Sequence, residues 1–345
     1  MTIENKSGAA EARSICVVVP AYNAAHLLPR VLQPLMAMLE AGEVQEVIVV
    51  DDCSPDNTAE VARELGARVI VTPANGGPGV ARNLAAEQTN KSILWLVDSD
   101  VIAALGGPEK IRAAFSEPDV KAVFGSYDET PDGTPWFSRY KNLTHRYYHQ
   151  IAQREATTFW AGCGALDAEF FRKVGGFDVE TYRVPSIEDI ELGYRIRQAG
   201  GRIILAPDLL GKHLKVWSPR NAIFTDIFRR ALPWSRLMIS KGPILNDLNT
   251  SKAERLKAAV AGLFVGGLFS LIFVPSIWPA VLALMLLVLW LNRDFAAFLV
   301  RHGGWVFAAG SLLYHQFYYI YSASAFVWCL FEYHILGKKD RLQVP

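Results

Sequence analysis

The sequence predicts an α/β protein: a doubly wound, Rossmann-like domain followed by hydrophobic C-terminal helices. Three observations predict this. Apolar, β-branched runs alternate with helical patterns through the first hundred residues, as in parallel sheets buried on both faces. Polar clusters follow directly on the carboxyl ends of those runs. Residues 258–291 then hold no charged side chain, so the positive mean hydropathy comes from the C-terminal third.

The elements follow in order. Residues 15–20 (ICVVVP) form a first strand, and residues 24–40 have helical spacing of Leu27, Leu28, Val31, Leu35 and Met38. Strands at 46–50, 68–71 and 93–97 alternate with helices at 58–65 and 79–88. Beyond Asp100 the pattern loosens: a strand at 122–127, a Tyr- and His-rich helix at 136–154, and a Gly-x-Gly turn within 159–166. A helix at 187–198 and a strand at 202–206 close the domain. The expected organisation is a disordered N-terminus (1–13), a catalytic domain (14–218), an amphipathic interfacial helix and linker (219–255), a transmembrane region (256–336) and a tail (337–345).

A formal net charge of +1 excludes nucleic acid as an electrostatic partner. Cys16, Cys53, Cys163 and Cys329 lack CxxC spacing and read as reduced, mostly buried thiols. The polar N-terminus has no apolar signal segment, which places the first domain in the cytosol.

Ligands of parallel sheets bind beyond the carboxyl ends of the strands. Four clusters fall there: Pro20-Ala21-Tyr22-Asn23, Asp51-Asp52, the Gly-rich turn from Asn75 through Gly79 to Arg82, and Asp98-Ser99-Asp100. The acids suit ribose hydroxyls or a base N–H, and equally suit turns and helix caps. The Gly-rich turn opens a helix, so its backbone N–H groups and Arg82 suit a phosphate. Carboxylates two apart can converge on one hard cation, Mg²⁺ or Mn²⁺. The acids Glu188, Asp189 and Glu191 begin a helix, with Ser186 placed to cap it.

In this order and spacing PAYN, VVDDCSPDNT, NGGPGVARN, LVDSD and IEDIELG resemble the family 2 glycosyltransferases of GT-A fold, over roughly residues 14–215. The resemblance implies that Pro20, Tyr22 and Asp51 or Asp52 hold a nucleoside, with uracil as its base by family habit alone. It places Arg82 and Asp98 by the ribose and diphosphate, with Asp98 and, as the main ligand, Asp100 on the metal. Asp189 becomes the catalytic base, with Glu188 beside it. Cys53 stands where the family commonly has Gly, a change the turn tolerates if φ is negative. Trp160 and Gly162 precede Gly175-Gly176, as the family's acceptor-side segment does. Where processive relatives carry QxxRW, this chain has His213-Leu214-Lys215-Val216-Trp217, which favours single-sugar transfer and offers His213 as a third metal ligand.

The helix at 221–241 mixes Phe224, Phe228 and Trp234 with Arg229, Arg230 and Arg236, as a helix at a membrane surface or one packed on a core would. Residues 258–291 read as a helical hairpin turned at PSIWP, and residues 305–333 as a further apolar stretch, giving two or three spans. Three spans would set Lys338, Lys339 and Arg341 opposite the catalytic domain, against the positive-inside tendency, unless the last stretch is interfacial. The resulting expectation is an inverting enzyme, multi-pass in the inner (plasma) membrane, with its catalytic domain cytosolic. It moves a single sugar from a nucleotide sugar to a membrane lipid, such as a polyprenyl phosphate or a glycolipid, whose phosphate Arg220, Arg229, Arg230 and Arg236 are placed to hold. Transfer to a growing glycan, a nucleotidyltransferase and a non-catalytic scaffold are the competing expectations.

Overall fold

The computed structural model describes residues 13–133, 135–241 and 250–338. The expected disordered N-terminus and most of the tail, Lys339 and Arg341 included, lie outside these residues. Strands β1 (Ile15–Ala21), β2 (Glu46–Asp51), β3 (Arg68–Val71) and β4 (Ile93–Val97) alternate with helices α1 (Leu28–Glu40), α2 (Thr58–Glu64) and α3 (Pro78–Glu87). They pair in parallel in the order β3-β2-β1-β4. The apolar run of β1 serves two cores at once. Ile15, Val17 and Val19 pack with Leu28, Val31, Leu32 and Leu35 of α1, whereas Cys16 and Val18 pack with Ala81 and Ala85 of α3. Burial of each larger side chain contributes roughly 1.5–3 kcal/mol, which fixes the sheet between its two helical layers.

Past β4 the sheet is mixed rather than parallel. β5 (Val101–Ala103) and α4 (Gly107–Phe115) lead to β6 (Val120–Tyr127), α5 (Trp136–Ile151), β7 (Glu155–Ala156) and β8 (Cys163–Asp167). After them come α6 (Ala168–Lys173), α7 (Glu188–Gln198) and β9 (Arg202–His213). β8 inserts antiparallel between β4 and β6, β9 runs parallel to β6, and β5 pairs antiparallel with the end of β9. That last pairing sets Val101 opposite His213, so β9 extends to His213 rather than stopping near residue 206.

The helix expected at 221–241 is three pieces: α8 (Pro219–Phe224), a π-helical segment (Thr225–Ala231) and α9 (Leu232–Lys241). Its apolar face is largely covered. Trp234, Leu237 and Met238 pack on Tyr182 and Ile187, leaving Ile223, Phe224 and Phe228 as its exposed large hydrophobics. Arg236 is committed to Glu332 at 3.0 Å and is not available to a lipid phosphate.

α10 (Lys252–Ser270), a 3₁₀ turn (Pro275–Ile277) and α11 (Trp278–Leu291) form the expected hairpin. Its arms are short: the 14 residues of α11 make about 21 Å at ~1.5 Å per residue. α12 (Arg293–His334) is kinked at Gly304, where φ is 77°. By length and composition it is, among the described residues, the one helix able to cross a membrane. Two or three separate spans are therefore not what these helices provide. Instead α12 runs against α5, the π-helical segment and α9, with His315 fully buried between the hydroxyls of Tyr140 (2.7 Å) and Tyr148 (3.2 Å).

Candidate active site

The ends of β1, β2, β3 and β4 bring the four polar clusters to one edge. Pro20 and Ala21 still belong to β1, opposite Val50 and Asp51, so they supply backbone and wall rather than a loop. Tyr22 projects into solvent, 54% exposed, and Asn23 takes a left-handed conformation with its N–H donating to Ser54 Oγ at 2.9 Å. Cys53 also has positive φ, 57°. The condition under which Cys is harmless there is not met, and the Cβ is held in a strained region.

Asp51 and Asp52 separate in role. Asp51, buried, accepts from Ser54 N–H at 3.2 Å. Asp52 accepts from Gly76 N–H (3.0 Å), Gly77 N–H (2.7 Å) and Thr72 Oγ1 (2.9 Å), while Asn75 Nδ2 donates to the Asp52 carbonyl. The glycine turn thus spends those N–H groups on Asp52 and not on an external anion, because a buried carboxylate needs donors. Gly79 lies in the first turn of α3, which no side chain caps.

Arg82, on the same turn, is 4% exposed and joins two halves of the site. Its Nη2 donates to Asp98 Oδ1 at 2.6 Å, and its Nη1 lies 3.6 Å from Glu188 Oε1. Desolvation holds Asp98 above the ordinary carboxylate range, Arg82 offsetting it only in part and Asp100 adding to it. Desolvation also pushes on Asp100, but the hydrogen bond and charge of His213, helped by Lys215, outweigh it and leave Asp100 low. Ser99 is half-buried between them.

His213 Nε2 lies 3.5 Å from Asp100 Oδ2, while Nδ1 sits 2.6 Å from Asn142 Oδ1. Nδ1–H donates to that amide oxygen, so Nε2 faces the carboxylate, donating to it when protonated and offering a lone pair when not. The ring stacks on Tyr127 with centroids 4.2 Å apart. Among the described residues no three His, Cys, Asp or Glu side chains form a ready metal cluster. Asp98, expected as a ligand, is hydrogen-bonded to Arg82, while Asp100 faces His213.

Asp189 stands on the other side of Arg82. Its Oδ2 accepts from Ala161 N–H (3.1 Å) and its Oδ1 from Ile190 N–H (2.8 Å). Desolvation, with the adjacent Glu188, raises it to about 7 against these hydrogen bonds and Arg82. Gly193 makes the placement possible: a Cβ there would meet Phe159 N at 2.5 Å, so only glycine lets α7 dock on this backbone. Glu188 accepts from Ser186 N–H at 2.8 Å, and Glu191 pairs with Arg195. Ser186 is not the helix cap; its hydroxyl donates to the Arg229 carbonyl at 2.8 Å. This ties the π-helical segment to the start of α7.

Trp160 packs edge-on against Tyr127 and His149 and covers Gly162, where a Cβ would meet the indole at 2.5 Å. Gly162 in turn accepts from Asp98 N–H at 3.1 Å. Arg230 lies 3.9 Å from Asp226, and Arg229 lies over the Phe224 ring at 5.7 Å. Asn142 and Tyr127, which orient His213, carry no motif. The density of Tyr and His in α5 marked only the helix that carries Asn142, whereas Tyr127 ends β6.

Residues 16–175 match the Glycosyl transferase family 2 model. Pre-mycofactocin glycosyltransferase of Mycobacterium tuberculosis is 29% identical over 228 residues, covering 61% of this chain and 46% of that protein. Validoxylamine A glucosyltransferase of Streptomyces hygroscopicus subsp. jinggangensis is 32% identical over 219 residues, covering 54% and 52%. The chain thus spans about half the length of these curated relatives. A mannosyltransferase, PcManGT from Pyrobaculum calidifontis in complex with GDP-Man and Mn²⁺, aligns over 92% of this chain and 88% of its own. Its TM-score is 0.47 at 19% identity.

Proposed function

We propose that the chain is an inverting glycosyltransferase that moves a single sugar from a nucleotide-diphosphate sugar, a UDP-sugar by family habit, to a membrane lipid at the cytosolic face of the plasma membrane. One observation carries the reading. Arg82 bridges Asp98 at the nucleotide-binding edge and Glu188 beside Asp189, so donor and base share one cleft. Asp189, raised to about 7, is the base. Its free lone pairs take the proton of the acceptor hydroxyl as that oxygen attacks the anomeric carbon. A base is needed for a hydroxyl and not for an ionised phosphate, which favours a glycolipid hydroxyl over polyprenyl phosphate.

Asp100 and His213 fit a divalent cation, Mg²⁺ or Mn²⁺, because Asn142 fixes the imidazole with Nε2 toward the carboxylate. When bound, such an ion neutralises the leaving diphosphate. Arg82 holds Asp98 in place, and the Trp160–Gly162 segment forms the wall on the acceptor side. Support for a lipid acceptor comes from exposed Phe224 and Phe228 beside Arg229 and Arg230, and from large hydrophobics exposed on α10, α11 and α12.

The test is to incubate the purified full chain in lipid with a panel of nucleotide sugars and follow nucleoside diphosphate release. Mass spectrometry of the lipid then identifies sugar and acceptor. Release of pyrophosphate instead would make the protein a nucleotidyltransferase. Undiminished transfer in EDTA would remove the metal from Asp100 and His213.

A further inference from the structure

The polarity of α12 is inverted relative to a helix of a water-soluble domain. Its outward stripe is Val306, Leu313, Phe317, Val327, Trp328 and Phe331, all exposed, with Val306 at 89%. Its buried stripe carries Ser311, His315, Gln316, Tyr319 and Glu332. A helix that hides polar groups in protein and turns a continuous apolar face outward is built for a non-aqueous neighbour.

The buried stripe is fastened along its whole length. Phe307 packs with Phe137 at one end, Tyr321 donates to Asp226 at 2.8 Å in the middle, and Arg236 meets Glu332 at the other end. Residues 307–332 are thereby laid along the catalytic unit over about 38 Å. Crossing a bilayer in this arrangement would carry α5, with Arg139, Lys141 and Arg146, into hydrocarbon at several kcal/mol per charge.

The hairpin gives a second, independent observation. It begins at Lys252, Arg255 and Lys257 and ends at Arg293 and Asp294, while its tip is apolar, with Ile272 at 72% and Phe273 at 70% exposure. The charge-free part of α10, residues 258–270, is about 20 Å long and α11 about 21 Å, both short of a hydrocarbon core of about 30 Å.

We infer that the three helices seat the protein in a single leaflet, α12 lying in the membrane plane and the hairpin dipping into the acyl chains and returning. The inference rests on the membrane association proposed above and replaces the multi-pass arrangement expected from the sequence. The occupant of the exposed face is lipid: the face is continuous with the hairpin, bears Trp278, Trp290, Trp305 and Trp328, and is flanked by Arg255, Arg293, Arg301 and Lys338 at headgroup level. In-plane placement keeps Lys338 on the catalytic side and removes the conflict with the positive-inside tendency.

Two cysteine variants of the full chain, Ser276→Cys at the hairpin tip and Lys338→Cys after α12, test this in a Cys53→Ala background, since the other native thiols are buried. The chain is expected to stay with membranes through a carbonate wash. A membrane-impermeant maleimide should label Lys338→Cys in inside-out vesicles and not in intact spheroplasts. Ser276→Cys should label from neither side until detergent is added. Labelling of Ser276→Cys from outside makes the hairpin a span, and labelling of Lys338→Cys from outside makes α12 one; either overturns the inference. Release by carbonate, or labelling of Ser276→Cys in inside-out vesicles without detergent, overturns it by showing a protein-covered or aqueous face. Diphosphate release, read separately on the chain with Cys53 intact, tests the transferase reading whichever topology is found.

Discussion

Replacing Glu188 with Gln separates the two carboxylates that the sequence brings together. Asp189 works as a base only when ionised, and its pKa is raised from 3.8 to about 7. Transfer by the native chain should therefore fall about tenfold per pH unit below 7 and level off above it. Glu188 is one of the two causes holding Asp189 up. Two unit charges about 6 Å apart in a medium of effective dielectric ~20 repel by about 3 kcal/mol, or about 2 pH units. Arg82, 3.6 Å from Glu188, already neutralises part of that charge, which lowers the expectation to about 1–2 units. Gln retains an oxygen for the Ser186 N–H, so the start of α7 is preserved. The acidic limb of kcat/KM should move from about 7 to between about 5 and 6, read as diphosphate release from pH 4.5 to 9 (roughly two units either side of the limb). A limb that stays or rises refutes the electrostatic argument. Loss of activity at every pH, with melting temperature unchanged, makes Glu188 the base instead of Asp189.

Asp189→Asn should cut kcat by roughly 10²–10⁴. It should also raise the melting temperature at pH 8. A carboxyl whose folded pKa lies above its unfolded value costs stability as pH climbs from about 4 to about 7; the amide escapes that cost, and an unchanged melting temperature at pH 8 would contradict the shift. Asn142→Leu frees the His213 tautomer without touching the carboxylates, so the Mn²⁺ concentration for half-maximal transfer should rise about 10- to 100-fold, with the fold checked by circular dichroism. Cys53→Gly removes a left-handed non-Gly residue and should stabilise the chain by about 1 kcal/mol, measured as the shift in urea midpoint at constant m-value.

The edge of polar clusters was legible because parallel strands are unbroken apolar runs that end where the polar residues begin. Asp51, Arg82, Asp98 and Asp189 could each be placed on a strand end or a helix start from that pattern alone. The second half was harder to read, since β5 and β7 are shorter than any periodicity can register. β5 is nonetheless what brings Asp100 to His213. The partition among neighbouring acids was also invisible. Asp51 and Asp52 are adjacent in sequence, but Asp51 ends β2 and accepts from Ser54 N–H, while Asp52 lies under the glycine turn. Asp98 and Asp100 likewise read as a pair and separate because Arg82 claims the first and His213 the second.

The same limit explains why α12 misleads on hydropathy. Its average is high enough to suggest a span, but an average discards which face holds His315, Gln316 and Glu332. Those three side chains need partners at protein depth. Tyr140, Tyr148 and Arg236 supply partners to His315 and Glu332 from elements that also build the cleft. The Ser186–Arg229 bond carries the linkage from the π-helical segment to the turn before Asp189. The start of α7, the π-helical segment and α12 are thus one bonded unit, so under the in-plane placement we infer, the depth of α12 in lipid sets the height of Asp189 above the surface.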